Sequence, residues 1–257
     1  MELKNSSALV TGGAGGFGSA TARRLAEAGC HVVIADIHEE RGNDLAREIG
    51  EGRATFVLTD VFDGESIENA IEVAKSKHPL RVAVVAHGGP SGGAGRIVGR
   101  DGSAYSTDDF TKTISSYLIS AFAVSSRAAA AMSGNETLAD GHRGVVITTA
   151  SIAGFEGQVG QVAYSAAKGG IIGMTLTAAR DLAPIGVRFM SIAPGTFYTY
   201  AYGADEAGAN EKWGPGVPFP KRMGRADEYA QLALQIAQND YLNGTVIRID
   251  GAQRFGM

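Results

Sequence analysis

Short runs of β-branched residues alternate with longer segments of helical periodicity along the chain. Strands made of continuous Val/Ile runs are buried on both faces, and the intervening helices cover them. The predicted strands are Ala8–Thr11, His31–Asp36, Ala54–Thr59, Val82–Ala86, Val145–Thr149, Val187–Ala193 and Val246–Asp250. The predicted helices are Phe17–Ala28, Glu39–Ile49, Glu65–Ser76, Asp108–Met132, Val162–Leu182 and Ala226–Gln238. Strict β–α alternation predicts an α/β protein: a doubly wound, seven-stranded parallel sheet with helices on both faces.

Composition excludes several functional classes. With 257 residues and no Pro- or Ser-rich linker, we treat residues 1–257 as one domain. The formal net charge of −4 argues against a nucleic-acid-binding protein. A single cysteine, Cys30, excludes an internal disulfide, and the five histidines lack metal-ligand spacing, so we expect no metal. No apolar run approaches the roughly 20 residues of a membrane helix, and no signal peptide is evident. We therefore expect a soluble, cytoplasmic protein without a membrane partner.

A glycine-rich turn follows the first predicted strand. Thr11–Gly18 (TGGAGGFG) leads directly into a helix, and the glycines allow a tight turn and close approach of a pyrophosphate. The second strand ends at Asp36, where a carboxylate can accept both ribose hydroxyls and repel a 2′-phosphate. No Arg or Lys follows at once, which favours NAD over NADP. Asp60 and Val61, after the third strand, fit an adenine contact, although Asp60 is equally typical of a helix cap.

The reacting centre is predicted from Ser151, Tyr164 and Lys168. Tyr164 and Lys168 are four residues apart, which places them on one helix face. A nearby ammonium favours the phenolate of a tyrosine, whose ordinary pKa is about 10. Tyr164 can then exchange a proton with an alcohol or ketone. Ser151, just beyond the fifth strand, is placed to hydrogen-bond the same substrate oxygen.

Two long irregular stretches follow strand ends. These are Gly88–Ser106 and Phe197–Arg225, and loops of this length are usually functional or disordered. Because open α/β sheets bind ligands beyond the carboxyl ends of their strands, we expect both to form walls of the active site. The second, at about residues 197–225, is predicted to be a substrate lid.

These motifs resemble the short-chain dehydrogenase/reductase family, which has a Thr-Gly-x-x-x-Gly-x-Gly turn and a Ser…Tyr-x-x-x-Lys centre. The segments FEGQVGQ, VPFPKRMG and LNGTVIRIDGA are similar to its type-2 3-hydroxyacyl-CoA dehydrogenase branch. The resemblance implies a Rossmann fold, NAD, a secondary alcohol/ketone or acyl-CoA substrate, Tyr164 as acid/base and Lys168 on the nicotinamide ribose. Cofactor contacts are expected at Gly12, Gly15, Gly16, Phe17, Gly18, Asp36, Ile37, Asp60, Val61, Ala86, His87, Gly88, Tyr164, Lys168, Pro194, Thr196 and Phe197. Substrate contacts are expected at Ser151, Gln158, Gln161 and Tyr164.

Two departures from the family pattern bear on activity. Ala86-His87-Gly88-Gly89 stands where relatives have Asn-Asn-Ala-Gly or Asn-Cys-Ala-Gly. Tyr117 stands where relatives place an Asn that anchors a proton-relay water, so Tyr117 is a catalytic candidate, a pocket wall or a core aromatic. An NAD-binding scaffold with little turnover is therefore an alternative function.

Two further points concern a rival activity and assembly. Gly89-Pro90-Ser91-Gly92-Gly93 matches a hydrolase Gly-x-Ser-x-Gly, but an elbow must enter a helix directly and here more glycines follow. A serine hydrolase acting through Ser91 is thus a remote alternative.

The last strand is an exposed sheet edge, and two long helices carry small residues. These features predict a homo-oligomer, most simply the homotetramer of relatives.

Overall fold

The computed structural model describes residues 1–88, 92–199 and 205–256. Seven strands form a single parallel sheet in the order β3-β2-β1-β4-β5-β6-β7, so the predicted fold class is confirmed. The strands are β1 Ser7–Thr11, β2 His31–Asp36, β3 Ala54–Leu58, β4 Leu80–Val85, β5 Gly144–Thr149, β6 Val187–Pro194 and β7 Val246–Ile249. Every residue of β1, β2, β4, β5 and β6 is buried, as the continuous apolar runs predicted.

Helices cover both faces of the sheet. They are α1 Gly16–Glu27, α2 Glu39–Ile49, α3 Gly64–Lys77, α4 Thr107–Ile114, α5 Ser120–Ser133, α6 Val162–Leu182, α7 Glu206–Trp213 and α8 Ala226–Gln238. One core lies beneath α1, α2 and α8, with Leu25, Leu45 and Ile236 buried in it. The other lies beneath α3, α5 and α6 and includes Ile67 and Ile171.

The predicted helix Asp108–Met132 is instead interrupted. A π-helical turn at Ser115–Ile119, here called the π turn, separates α4 from α5. The apolar periodicity continues through it, which is why the sequence predicted one helix. Such turns occur frequently at functional sites, and Tyr117 lies at the centre of this one.

The described residues of the two predicted loop walls include some regular structure. Val98 and Ala104 form an antiparallel bridge in the first, and α7 forms inside the second. Ser91, the candidate hydrolase nucleophile, lies outside the described residues.

The order in which strands are added to the sheet reverses between β1 and β4, although all strands run in the same direction. Crossovers from β1 lead outward to β2 and β3, whereas those from β4 lead to β5, β6 and β7. The carboxyl ends of β1 and β4 therefore border a crevice, the place where doubly wound folds bind nucleotides.

Two absences hold for the part of the chain that the structure describes. None of its helices has the length and apolar character needed to cross a bilayer. Nor does it contain a group of three or more His, Cys, Asp or Glu side chains arranged to hold a metal ion.

Candidate active site

Glycine is required at two positions of the turn after β1. Gly12 has a φ of +66°, and a Cβ there would lie 2.5 Å from the Cα of His87. At Gly18, a Cβ would collide with the carbonyl oxygen of Gly12. The turn can therefore pack against the end of β4 and against its own helix only without side chains at these positions.

The amino terminus of α1 points out of this turn. Gly15 is its N-cap, and among the described residues no side chain caps it and no acidic residue stands in its first turn. Its free N–H groups and the helix dipole are thus available to an anion such as a pyrophosphate. Gly16 belongs to the same opening turn, so the predicted phosphate cradle fits a dinucleotide.

Asp36 ends β2 beside the turn, as predicted. Its Oδ2 accepts a hydrogen bond from the Ala14 N–H at 3.0 Å, and its Oδ1 accepts one from the His38 N–H at 3.0 Å. These bonds fix the carboxylate, and each oxygen retains a lone pair for a further donor such as a ribose hydroxyl. The neighbouring side chain of Ile37 is exposed.

Asp60 and Val61 follow β3 at the next position along this edge. The Asp60 Oδ1 accepts from the Phe62 N–H at 2.9 Å, which stabilises the turn before α3. Asp63, rather than Asp60, caps α3 by accepting from the Glu65 N–H. The sequence allowed Asp60 to be either an adenine contact or a helix cap. The helix cap is Asp63, and Asp60 stabilises the preceding turn.

Phe17 and Phe197 lie close together; Phe197 is buried, and Phe17 is partly buried against the same core. The Phe17 ring contacts Phe197 edge-on, with centroids 5.3 Å apart, and stacks on Tyr229 at 4.4 Å. Any cofactor contact at Phe197 would thus come from its backbone, since its side chain belongs to the core. Further along β6, Pro194 ends the strand, and the Thr196 N–H donates to Gln253 Oε1 at 3.0 Å.

Lys168 and Tyr164 lie on α6 beside the end of β5. The Lys168 ammonium donates to the carbonyl of Thr149 at 2.6 Å, and the side chain is only 4% exposed. Burial lowers the pKa of Lys168 to about 7, because the charged form loses its hydration. Its Nζ lies 5.8 Å from the ring centroid of Tyr164. The predicted pair is therefore brought together.

Tyr117 joins this pair. Its ring meets that of Tyr164 at 87°, with centroids 5.1 Å apart, and the Nζ of Lys168 lies 5.0 Å from the Tyr117 centroid. The residue is half-buried. Tyr117 is thus part of the reacting centre. The sequence allowed a catalytic residue, a pocket wall or a core aromatic, and a purely core aromatic agrees least with these contacts.

Ser151 follows β5, two residues after the carbonyl that holds Lys168. Its hydroxyl oxygen accepts from the Ala153 N–H at 3.1 Å and caps a short 3₁₀ turn at Ile152–Gly154. This bond fixes the side chain at the carboxyl end of the strand.

His87 follows β4 together with Ala86 and Gly88. Its Nδ1 lies 2.8 Å from Thr11 Oγ1, and its Nε2 lies 2.9 Å from Ser120 Oγ. Burial and the charge of Lys168 lower the pKa of His87 to about 3, so the imidazole is neutral. Sequence reasoning placed His87 among the cofactor contacts, but its side-chain nitrogens are bonded to protein hydroxyls. No local sequence pattern predicts this hydrogen-bond network, because Thr11, His87 and Ser120 come from three separate segments.

A cavity of about 390 Å³ opens between the loop after β4 and the start of α6. Gln158 lines it, as do Arg96, Val162 and Ser165. Gln161 lies behind Gln158, whose N–H donates to Gln161 Oε1 at 3.2 Å. The two predicted substrate glutamines are therefore adjacent, with Gln158 in the cavity wall and Gln161 bonded to it, whereas Ser151 and Tyr164 do not line this cavity.

The fold and site together define a class, the oxidoreductases that bind a dinucleotide at the switch point of a Rossmann sheet. The pattern of the short chain dehydrogenase family matches residues 6–209, and the chain belongs to that family. The family uses nicotinamide cofactors, and the chain is an oxidoreductase that acts on a CH–OH group.

Named relatives span nearly the whole chain. The 3-hydroxyacyl-CoA dehydrogenase type-2 of Drosophila melanogaster is 41% identical over 252 residues, covering 98% of each chain. Its human counterpart is 42% identical over 98% of this chain and 96% of its own. The crystal structure of 3-hydroxyacyl-CoA dehydrogenase type-2 from Mycobacterium avium superposes with a TM-score of 0.94 at 50% identity, covering 98% of this chain and 97% of that one.

Proposed function

We propose that this chain is an NAD-dependent dehydrogenase that interconverts a secondary alcohol and a ketone, with 3-hydroxyacyl-CoA thioesters as the substrate class. Relatives that carry that name cover almost the full chain at 40–43% identity. The observation that carries the proposal is the meeting of Tyr164, Lys168 and Tyr117 beside a glycine turn.

The choice of NAD rests on Asp36. A fixed carboxylate at the end of β2 attracts ribose hydroxyls and repels a 2′-phosphate. The pyrophosphate would be held by the turn Gly12–Gly18 and the amino terminus of α1. The adenine would be flanked by Asp60 and Val61. The nicotinamide half would be bordered by Ala86–Gly88 and Pro194–Phe197. When bound, the cofactor supplies a hydride acceptor or donor.

Proton transfer is assigned to Tyr164. Its phenol gives a proton to the carbonyl oxygen in reduction, and its phenolate takes one from the hydroxyl in oxidation. A protonated Lys168 favours that phenolate, and the Thr149 carbonyl holds the ammonium in place. Ser151 would donate its hydroxyl hydrogen to the same substrate oxygen and stabilise its developing charge.

Substrate binding is assigned to the cavity beside α6. Gln158 presents an amide that can donate to or accept from a thioester, and Gln161 holds the backbone of Gln158 in position. Residues 197–225, which include α7, are proposed to serve as the substrate lid.

Assembly as a homotetramer stays a prediction. The outer surface of the π turn, α5 and α6 exposes Ile119, Phe122 and Leu176, and a Cβ on Gly173 would meet nothing within 4 Å. An apolar face with room for close approach favours helix-to-helix association between copies of the chain.

The cytoplasmic location predicted from the sequence also stays a prediction, which cell fractionation would test.

The decisive experiment measures NAD and NADP reduction with a panel of 3-hydroxyacyl-CoA thioesters and simple secondary alcohols. We expect NAD reduction with 3-hydroxyacyl-CoA, and loss of about 10²–10⁴-fold in kcat for Tyr164→Phe. The variant should retain NAD affinity, because the ring and its packing remain. Binding of NAD without turnover of any substrate would instead support the scaffold alternative, and preference for NADP would overturn the role of Asp36.

A further inference from the structure

A chain of hydrogen bonds connects the nucleotide turn with the π turn. It runs from Thr11, at the end of β1, through the imidazole of His87 to Ser120, at the start of α5. The Ser120 hydroxyl continues to the carbonyl of Ser116 at 2.8 Å. Thr11, His87, Ser116 and Ser120 are all buried. Three segments distant in sequence are therefore joined by one polar path through the core.

The last bond fixes the direction of the others. Because the Ser116 carbonyl can only accept, the Ser120 hydroxyl donates to it and must accept from His87 Nε2–H. The histidine is then the neutral Nε2–H tautomer, so Nδ1 accepts from the Thr11 hydroxyl. Every polar hydrogen on the path has one acceptor, and a buried network satisfied in this way is rigid.

Both ends of the path lie against the active site. The backbone of His87 packs so closely on the nucleotide turn that Gly12 admits no Cβ. Ser116 immediately precedes Tyr117, and Gly88, next to His87, lies under the Tyr117 ring, with its Cβ position 3.5 Å from Cε1. A shift of His87 would thus move the turn that holds the cofactor relative to the ring beside Tyr164.

We propose that His87 is a positioning residue that sets the π turn, and with it Tyr117, in register with the nucleotide turn. The proposal rests on the proposed dehydrogenase function for its kinetic test. Its role is orientation: both ring nitrogens of the neutral His87 are bonded to hydroxyls, to Thr11 and to Ser120, which leaves neither nitrogen to exchange a proton with substrate.

The test compares three variants with a matched control. His87→Leu and Ser120→Ala each break the path, whereas the amide of His87→Gln can both accept from Thr11 and donate to Ser120. Ser191→Ala is the control, since Ser191 forms a buried hydroxyl network with Thr148 and Thr175 at 2.6 and 2.7 Å on another part of the sheet. The measurements are kcat and KM for the best substrate and the Kd of NADH by fluorescence titration.

Misplacement of a positioned group by about 1 Å can lower rates about 100-fold. We expect His87→Leu and Ser120→Ala to lower kcat by about 10- to 100-fold with little change in KM, and His87→Gln to restore most of the loss. Ser191→Ala should keep wild-type kcat. Equal kcat values in Ser120→Ala and Ser191→Ala would overturn the proposal, and so would failure of His87→Gln to exceed His87→Leu.

The same variants separate this proposal from the proposed function. If wild-type protein reduces no nicotinamide cofactor with any substrate, the dehydrogenase function fails. NADH binding then decides on the network: His87→Leu should weaken Kd relative to Ser191→Ala, and unchanged binding would refute the link to the nucleotide turn.

Discussion

Replacing Lys168 by methionine should abolish turnover and change how stability depends on pH. Methionine preserves the length and most of the volume of the side chain but cannot carry a charge. Lys168 is almost completely buried, and burial lowers its pKa from 10.5 to about 7. The unfolded chain therefore holds this proton up to a pH of about 10.5, whereas the native protein releases it near pH 7.

The sign and magnitude follow from proton linkage. Between those two pKa values unfolding takes up a proton, so raising the pH stabilises the native state by up to about 1.4 kcal/mol per pH unit. The penalty for burying Lys168 is about 4 kcal/mol at pH 7 and about 1 kcal/mol at pH 9.5. It is largest below pH 7 and absent above 10.5. Wild-type stability should thus rise by about 3 kcal/mol relative to Lys168→Met between pH 7 and 9.5.

The assay is urea unfolding followed by circular dichroism at several pH values and one protein concentration, without cofactor. Subtracting the two proteins removes every titration that they share. Lys112→Met is the control: Lys112 is exposed on α4, so its replacement should produce no comparable slope. Parallel pH curves for Lys168→Met and wild type would refute the reasoning, because they would show that burial does not displace the lysine proton.

Three further predictions concern the π turn, the cavity wall and assembly. Tyr117→Phe should leave kcat close to wild type, because phenylalanine keeps the ring contacts with Tyr164 and Lys168, whereas Tyr117→Leu removes them and should lower kcat. Equal rates in the two variants would contradict this. Glu156 immediately precedes Gly157 of the cavity wall and pairs with Arg248, so Glu156→Gln should raise KM with little change in kcat. Glu48→Gln, which weakens a surface pair with Arg23, should change neither. Phe122 is 61% exposed on α5, and Phe122→Glu should shift light scattering from tetramer towards smaller species; an unchanged mass would exclude this face from the interface.

Local pattern was sufficient for much of the fold and for the central pair. The bounds of α2, α6 and α8 agree with the sequence prediction to the residue, although the helical periodicity is clear in α2 and α8 and weak in α6. The pairing of Tyr164 and Lys168 follows from their spacing on one helix, which needs no tertiary information. The class of fold followed from alternation alone.

What the sequence could not supply depends on contacts between distant segments. The π turn inserts an extra residue into a turn without altering the apolar pattern, so one helix was expected over Asp108–Met132. The lowered pKa of Lys168 arises from burial against β5, which is remote in sequence. The bonds of His87 to Thr11 and Ser120 likewise join positions that only folding brings together.

The reversal of strand order also separates the proposed cofactor-binding residues from the proposed catalytic residues along the sequence. Groups proposed to recognise the cofactor come chiefly from β1, β2 and β3, whereas those proposed for chemistry follow β5 or lie on α6 and the π turn. The two sets lie on opposite flanks of one sheet and meet at the boundary between β1 and β4. Cofactor preference and substrate range are therefore separable traits: a chimera that takes its first three strands from a relative should inherit that relative's nucleotide choice while keeping its own reaction.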